Sequence, residues 1–439
     1  MSLFGAMNSA ISGLGAQSHA LGNISDNVAN SQTAGFKRVD TTFISYLTTS
    51  SLNANEPGAV VARPDYAHNV QGTITQTDNP LGLAIAGQGF FAVSQQVGQL
   101  NGLPTFNPQQ FYSRAGDFQL NKTGYLVNSA GLYLCGWEVD PSTNDANQNS
   151  LEPIQVSQTV FNPVATTEVM LSANLPATPA TDTATATSPI TSNIDVYDSL
   201  GTIHSIALNW VQTASNVWTV SISAADATTT DLGSATITFG ADSGNDVPEG
   251  TIGSITNPLG TVVTDGYTAD AAAVLSFDAQ FGAETQTITL NLGTYGQTGG
   301  VTQYAGTTYN LRGLTQNGVP PGSFSGVTTQ SNGNIVVNYD NGQTRTIAQV
   351  PLITFNNADA LQRQNGQAFT ATLESGTPLA NPAGTNGAGA LVTSSVEGSN
   401  VDIAAEFSKL IVAQRAYSAN TRVVTTSDEL LQQTIDMKR

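Results

Sequence analysis

Chemistry in this 439-residue chain could be sought at one glycine string, three histidines, two neighbouring aspartates and a single cysteine. Gly87, Gly89 and Ala92 form a GxGxxA string after the apolar run LGLAI, the outline of a dinucleotide-binding turn. That chemistry needs a helix next, because the free N–H groups of a helix N-terminus hold the pyrophosphate. Phe90, Phe91, Ala92 and Val93 follow instead and read as a strand, so the glycines are expected to serve a tight turn and close strand packing. His19, His68 and His204 are far apart, and none has the spacing of a metal-ligand set. Asp195 and Asp198 sit around VYDSLG, where Asp and Ser are ordinary turn residues. There is no GxSxG elbow and no phosphate-binding loop. No catalytic residue, cofactor or metal is expected, and the chain does not read as an enzyme.

Composition narrows the class further. Only 10% of residues are charged, against about 25% in an average soluble protein, and Thr, Ser, Asn, Gln, Ala and Gly take their place. Net charge is -19, and no Lys or Arg occurs between Lys122 and Arg312. Nothing in that stretch could neutralise phosphates, which argues against nucleic acid or an anionic membrane as partner. Cys135 is alone, so no intrachain disulfide forms. No run of 18 apolar residues is present, so no membrane insertion is expected. The N-terminus lacks a basic segment and a continuous apolar core, its first Lys being Lys37; export without a cleaved signal peptide is expected.

With no site to position, the elements themselves carry the function. Ile403, Phe407, Leu410, Tyr417, Val424, Leu431 and Ile435 fall on alternating four- and three-residue steps, the seam of a heptad helix. Ser399, with Asp402 three residues on, reads as the capping box that starts it. At the opposite end Leu3, Met7, Ala10, Leu14, Leu21, Ile24 and Val28 repeat the spacing, so the two termini are expected to lie side by side. Gly5, Gly13, Gly15 and Gly22 weaken the first helix. Seven seam side chains are too few to offset the entropy of fixing so long a helix. These helices are therefore expected to become ordered against the same helices of neighbouring copies. An ordinary two-helix hairpin closing a monomer is the simpler alternative.

The first helix should end near Asn30, in the stretch ANSQTAGFKRVDTTF from Ala29 to Phe43. This loop resembles the N-terminal signature of the flagellar rod and hook family, carried here by Ala29, Asn30, Thr33, Gly35, Phe36, Lys37 and Arg38. SNVDIAAEFSKLIVAQRAYSANTRVVTTSDELLQ is similar to the matching signature at that family's other end. Residues 44 to about 70 read as an extended connector. From Asn69, short alternating strands between Gly and Asn turns resemble the family's inner β-domain, to roughly residue 140. SNIDVYDSLGTIHSIALNWVQ resembles the outer β-domain of hook proteins, whereas ATPATDTATATSPITS, from Ala177 to Ser192, reads as a flexible surface loop. The Asn332-Gly333 and Asn341-Gly342 pairs are hairpin signals that return the chain to the inner domain.

The expected fold is mixed: two antiparallel β-rich domains nested in the chain, plus a coiled-coil-like helical domain formed by the termini. The expected divisions are 1-70 for the helix and connector, 71-150 and 316-395 for the inner β-domain, 151-315 for the outer insertion and 396-439 for the C-terminal helix. The resemblance implies a hook subunit that assembles with itself into a helical tube around a central channel, a bendable joint between rod and filament. It also implies type III export of the unfolded chain to the outside of the cell, and rod, hook cap and hook-filament junction proteins as partners. A rod protein is the first alternative, although those lack a large outer insertion. An exported β-rich adhesin is the second, but it gives no reason for matched heptads at both ends.

Overall fold

The computed structural model describes residues 3–51, 54–140, 143–179, 184–241, 246–282 and 284–437. Helix α1 runs Leu3–Ala29 and helix α2 runs Ile403–Asp436; the described residues between them are almost entirely strand and turn. The chain divides into two units. The first holds residues 1–158, 325–338 and 344–439, and the inserted unit holds 159–324 and 339–343.

In the first unit, α1 is followed by a long antiparallel hairpin of β1, Val39–Ser51, and β2, Ala54–Tyr66. The connector expected over residues 44 to 70 is thus corrected to a paired ribbon. The ribbon forms because it lies along α1, which supplies polar partners: Asn23 donates to Thr41 Oγ1 at 2.8 Å, Ser9 Oγ donates to the Gly58 carbonyl at 3.0 Å, and Val60 N–H donates to Ser12 Oγ at 3.1 Å. Pro57 and Pro64 in β2 hid this pairing, since proline is ordinarily read as a strand breaker.

Strands β3, Ile74–Gln76, and β4, Leu83–Ala86, lead to β5, Phe90–Leu100, which returns in β6, Leu103–Phe106. The first half of β5 is buried throughout, Phe90 to Ser94, and pairs with Phe111–Ser113, Leu132–Glu138 and Leu352–Thr354. Phe90, Tyr112, Ile353 and Phe369 pack in its core. Gly87 and Gly89, at φ 106° and 128°, precede this strand rather than a helix, and a Cβ on Gly89 would come within 3.2 Å of Leu352 Cβ. The last stretch before α2 comes back to the same unit: Ala390–Thr393 pairs with β4, and Ser395–Glu397 pairs with β3.

The inserted unit is built from two sheets. One has five antiparallel strands from Ile190–Tyr197 to Ile252–Gly260, and the other gathers Glu168–Pro176, Ala272–Phe281 and Glu284–Thr294 with shorter strands. Their inner faces share one core, in which Trp210 and Trp218 lie with Phe277, Ile288 and Leu290. Alternation of buried and half-buried positions, as in Val217–Ala224, turns one face of the strand to the core. The loop expected from Ala177 to Ser192 is shorter than read, because Ile190–Tyr197 is a strand; its residues 180–183 lie outside the described residues. The Asn-Gly turns at 332–333 and 341–342 have Gly333 and Gly342 at φ 90° and 79°, as a tight turn requires.

Candidate functional site

The two helices form an antiparallel pair. Asn27 near the end of α1 donates to Glu406 Oε2 at the start of α2, 3.1 Å away, while a Cβ on Gly13 would come within 2.9 Å of the Asn420 side-chain nitrogen. So close an approach requires small residues. Ala10, Ala16 and Ala20 are buried on α1 together with Ile24, and Ala413 and Ser427 are buried on α2. The helix start is also corrected: Asp402, not Ser399, is the N-cap, its carboxylate accepting from the N–H groups of Ala404 and Ala405 at 2.9 and 3.2 Å. Ser399 Oγ instead accepts from Val401 N–H. A carboxylate at the cap faces the positive end of the helix dipole.

The seam residues separate onto two faces. Met7, Leu14, Leu21, Val28, Leu410, Val424 and Leu431 are half-buried, with Ile24 fully so. Ile403, Phe407, Tyr417 and Ile435 are exposed, as are Ile411 and Val412. The Leu3 side chain lies outside the described residues. At a rise of about 1.5 Å per residue, the 34-residue α2 presents this apolar surface along roughly 50 Å.

Where the helices leave the β-structure, the motif loop builds a polar junction. Ala29 ends α1. Asn30 Nδ2 donates back to the Asp26 carbonyl, and Thr33 Oγ1 donates to Asn30 Oδ1 at 3.2 Å. Gly35 sits at φ 68° with its N–H on the Glu397 carbonyl, 2.8 Å away, and a Cβ there would lie 2.4 Å from the Ala115 nitrogen. Phe36 is buried beneath the Arg363 guanidinium, 5.0 Å from its ring centre. Arg38 N–H donates to Asn400 Oδ1 at 2.8 Å, and its guanidinium pairs with Asp40.

Lys37 is fully enclosed. Its Nζ donates to Glu397 Oε1 at 2.6 Å and to the Val70 carbonyl at 2.7 Å. The other oxygen, Glu397 Oε2, takes Arg114 Nη1 at 3.0 Å, and Arg114 Nη2 donates to the Gly87 carbonyl at 2.8 Å. Two buried cations thus share one carboxylate. Burial, opposed by Glu397 and reinforced by Arg114, lowers the Lys37 pKa to about 8, and burial lowers that of Arg114 as well, against the pull of Glu397. A second polar chain joins the helices: Asn27 holds the Val39 backbone at both ends of its amide, and Lys409 bridges Glu406 and Asp40.

Sequence reasoning reached Lys37 but missed Arg114, Glu397, Asn27, Asn400 and Glu406. The available signal was a charged residue inside a short strand-like run, as at Glu397 in Ser395–Glu397, in a chain with few charges. The remaining chemical candidates have structural settings. His68 is buried between Tyr66 and Phe369, with Nδ1 at 3.1 Å from the Ala358 carbonyl, and burial lowers its pKa to about 4. His204 stacks on Phe281 at 3.9 Å and meets Asp226 and Asp198. Asp198 Oδ1 accepts from the Leu200 and Thr202 N–H groups, and Asp195 is exposed on its strand. Cys135 is buried, which pushes its thiol up to about 11. His19 is exposed on α1.

Four family models match in chain order. They are flagella basal body rod protein over 7–37, flagellar hook protein FlgE/F/G D1 domain over 84–173, flagellar basal body protein FlaE D2 domain over 166–319, and flagellar basal body rod FlgEFG protein C-terminal over 392–437. Among curated proteins, the chain is 30% identical over 447 residues to the flagellar hook protein FlgE of Rhizobium meliloti (strain 1021) and 31% identical over 441 residues to that of Brucella abortus biovar 1 (strain 9-941). Each alignment covers 100% of both chains. It is also 30% identical over 444 residues to the Escherichia coli (strain K12) flagellar hook protein FlgE, covering 99% of this chain and 100% of that one.

Proposed function

The chain belongs to the flagellar hook protein family and is a structural subunit of the flagellar hook, and from that premise we propose that copies of it polymerise through the outer face of their terminal helices. The observation that carries this reading is the apolar surface of α2 left open by the α1 contact, with Phe407 at 52%, Val412 at 67% and Ile435 at 66% exposure. A lone helix pair has no use for large apolar side chains on its solvent face, whereas a helix between several neighbours does. Met7, Leu14, Leu21, Ile24, Val28, Leu410, Val424 and Leu431 pack the pair itself, and Ile403, Phe407, Tyr417 and Ile435 reach the next copies.

The product is a flexible tube with the helices around a central export channel, placed between rod and filament. The chain reaches it by flagellar type III export. The motif loop, locked by Lys37 and Glu397, sets the direction in which the helices leave the β-structure. Rod, hook cap and hook-filament junction proteins are the partners at the two ends of the tube. Electron microscopy of the purified full chain at high concentration tests the reading: tubes are expected. A chain that stays monomeric at every concentration, with α2 protected from protease, would overturn it.

A further inference from the structure

The hairpin of β5 and β6 carries a surface that folding does not use. Leu100 and Leu103 pair across its tip, around Asn101 and Gly102 at φ 52° and 82°, and are 66% and 52% exposed. Val97, at the register irregularity between Gln96 and Gly98, is 63% exposed. The core of this unit takes the other end of β5, so these side chains lie outside it. Among the described strands β6 pairs with β5 alone, which leaves its outer edge open. Pro104 removes one N–H from that edge, so a contact there is made by side chains more than by ladder extension.

Charge says what covers this tip. Between Asp78 and Arg114 the chain has no Asp, Glu, Lys, Arg or His, in a molecule of net charge -19. Two copies of so acidic a chain repel across much of their surface, and the repulsion grows where water is excluded. An uncharged apolar tip lets copies touch without that cost, while a basic partner would gain nothing from it. At the base of the hairpin lies a depression of about 460 Å³ lined by Gln95, Gln96, Val97, Ala130, Leu132 and Asn365, none of them charged.

We propose that the β5–β6 tip is a contact between copies of this chain in the assembled tube, with Leu100 and Leu103 as its anchors. This rests on the self-assembly read above and adds a contact away from the helices. In the full chain, Leu100→Ser with Leu103→Ser is expected to raise the subunit concentration needed for polymerisation by about tenfold, equivalent to roughly 1.4 kcal/mol, with monomer unfolding unchanged. Polymerisation at the wild-type concentration overturns the contact. Independently, Leu100→Cys is expected to react with a maleimide at least about tenfold more slowly in tubes than in monomer, because neighbouring side chains exclude water from an anchor; Cys135 is buried and does not compete. Equal reactivity in tubes and monomer overturns the contact and leaves assembly standing. Wild-type chain that forms no tubes overturns both.

Discussion

Lys37 and Glu397, 360 positions apart in sequence, meet at 2.6 Å with neither side chain exposed. One lies six residues before the other end of the chain begins as α2, and the other lies eight residues after α1 ends. The pair therefore closes the first unit at the point where both helices depart. Gly72 N–H and Arg114 complete the ring of donors around the carboxylate.

Glu397→Gln leaves two buried cations without their shared counter-charge and is expected to cost about 3–5 kcal/mol. Lys37→Met keeps the Arg114–Glu397 pair and should cost less than about half of that. Urea unfolding of the two variants measures the difference. Equal costs would show that the carboxylate is not what both cations depend on.

His68 carries a pH dependence of definite sign. Its folded pKa, about 4, lies below the ordinary 6.5 because burial disfavours the imidazolium, so between these values the unfolded chain binds the extra proton. Its contribution is complete above pH 6.5 and is lost as pH falls from 6.5 to about 4, by up to about 3 kcal/mol at about 1.36 kcal/mol per unit. The stability of the wild type minus that of His68→Phe, followed across this window, should fall on acidification. A flat difference would place His68 in water.

The two faces of α2 predict opposite outcomes. Ala413→Leu forces extra volume into the α1 contact and is expected to destabilise the pair by about 1–3 kcal/mol. Phe407→Asp alters an open position, so the monomer should change by less than about 0.5 kcal/mol while tube formation is lost. Tubes formed normally by Phe407→Asp would remove this face from the assembly.

The inserted unit has its own core, and its ends are held together, since Phe161 N–H donates to the Gly322 carbonyl at 2.7 Å. Replacing residues 159–324 by a short Gly/Ser linker should leave a chain that still forms tubes, with altered curvature seen by electron microscopy. A folded truncation that forms no tubes would make the insertion part of the assembly core. Tubes of unchanged curvature would remove it from shape control.

Much was legible locally. The helical period at both ends, the Asn-Gly turns, the strand after Gly89 and the family signatures are all short-range patterns, set by side chains a few residues apart. What the tertiary structure alone decided is which stripe of α2 turns inward. The heptad marks apolar positions on two sides. Ala413 and Ser427, small enough to let Gly13 and Asn420 approach, take the α1 side and leave Phe407 and Ile435 outside. The ribbon of β1 and β2 was likewise invisible, because it draws its support from α1 and not from a turn signal. So was the cluster of Lys37, Arg114 and Glu397: in sequence these are three separate charges, and only folding brings both cations within 3.0 Å of the one carboxylate, where burial makes each depend on it.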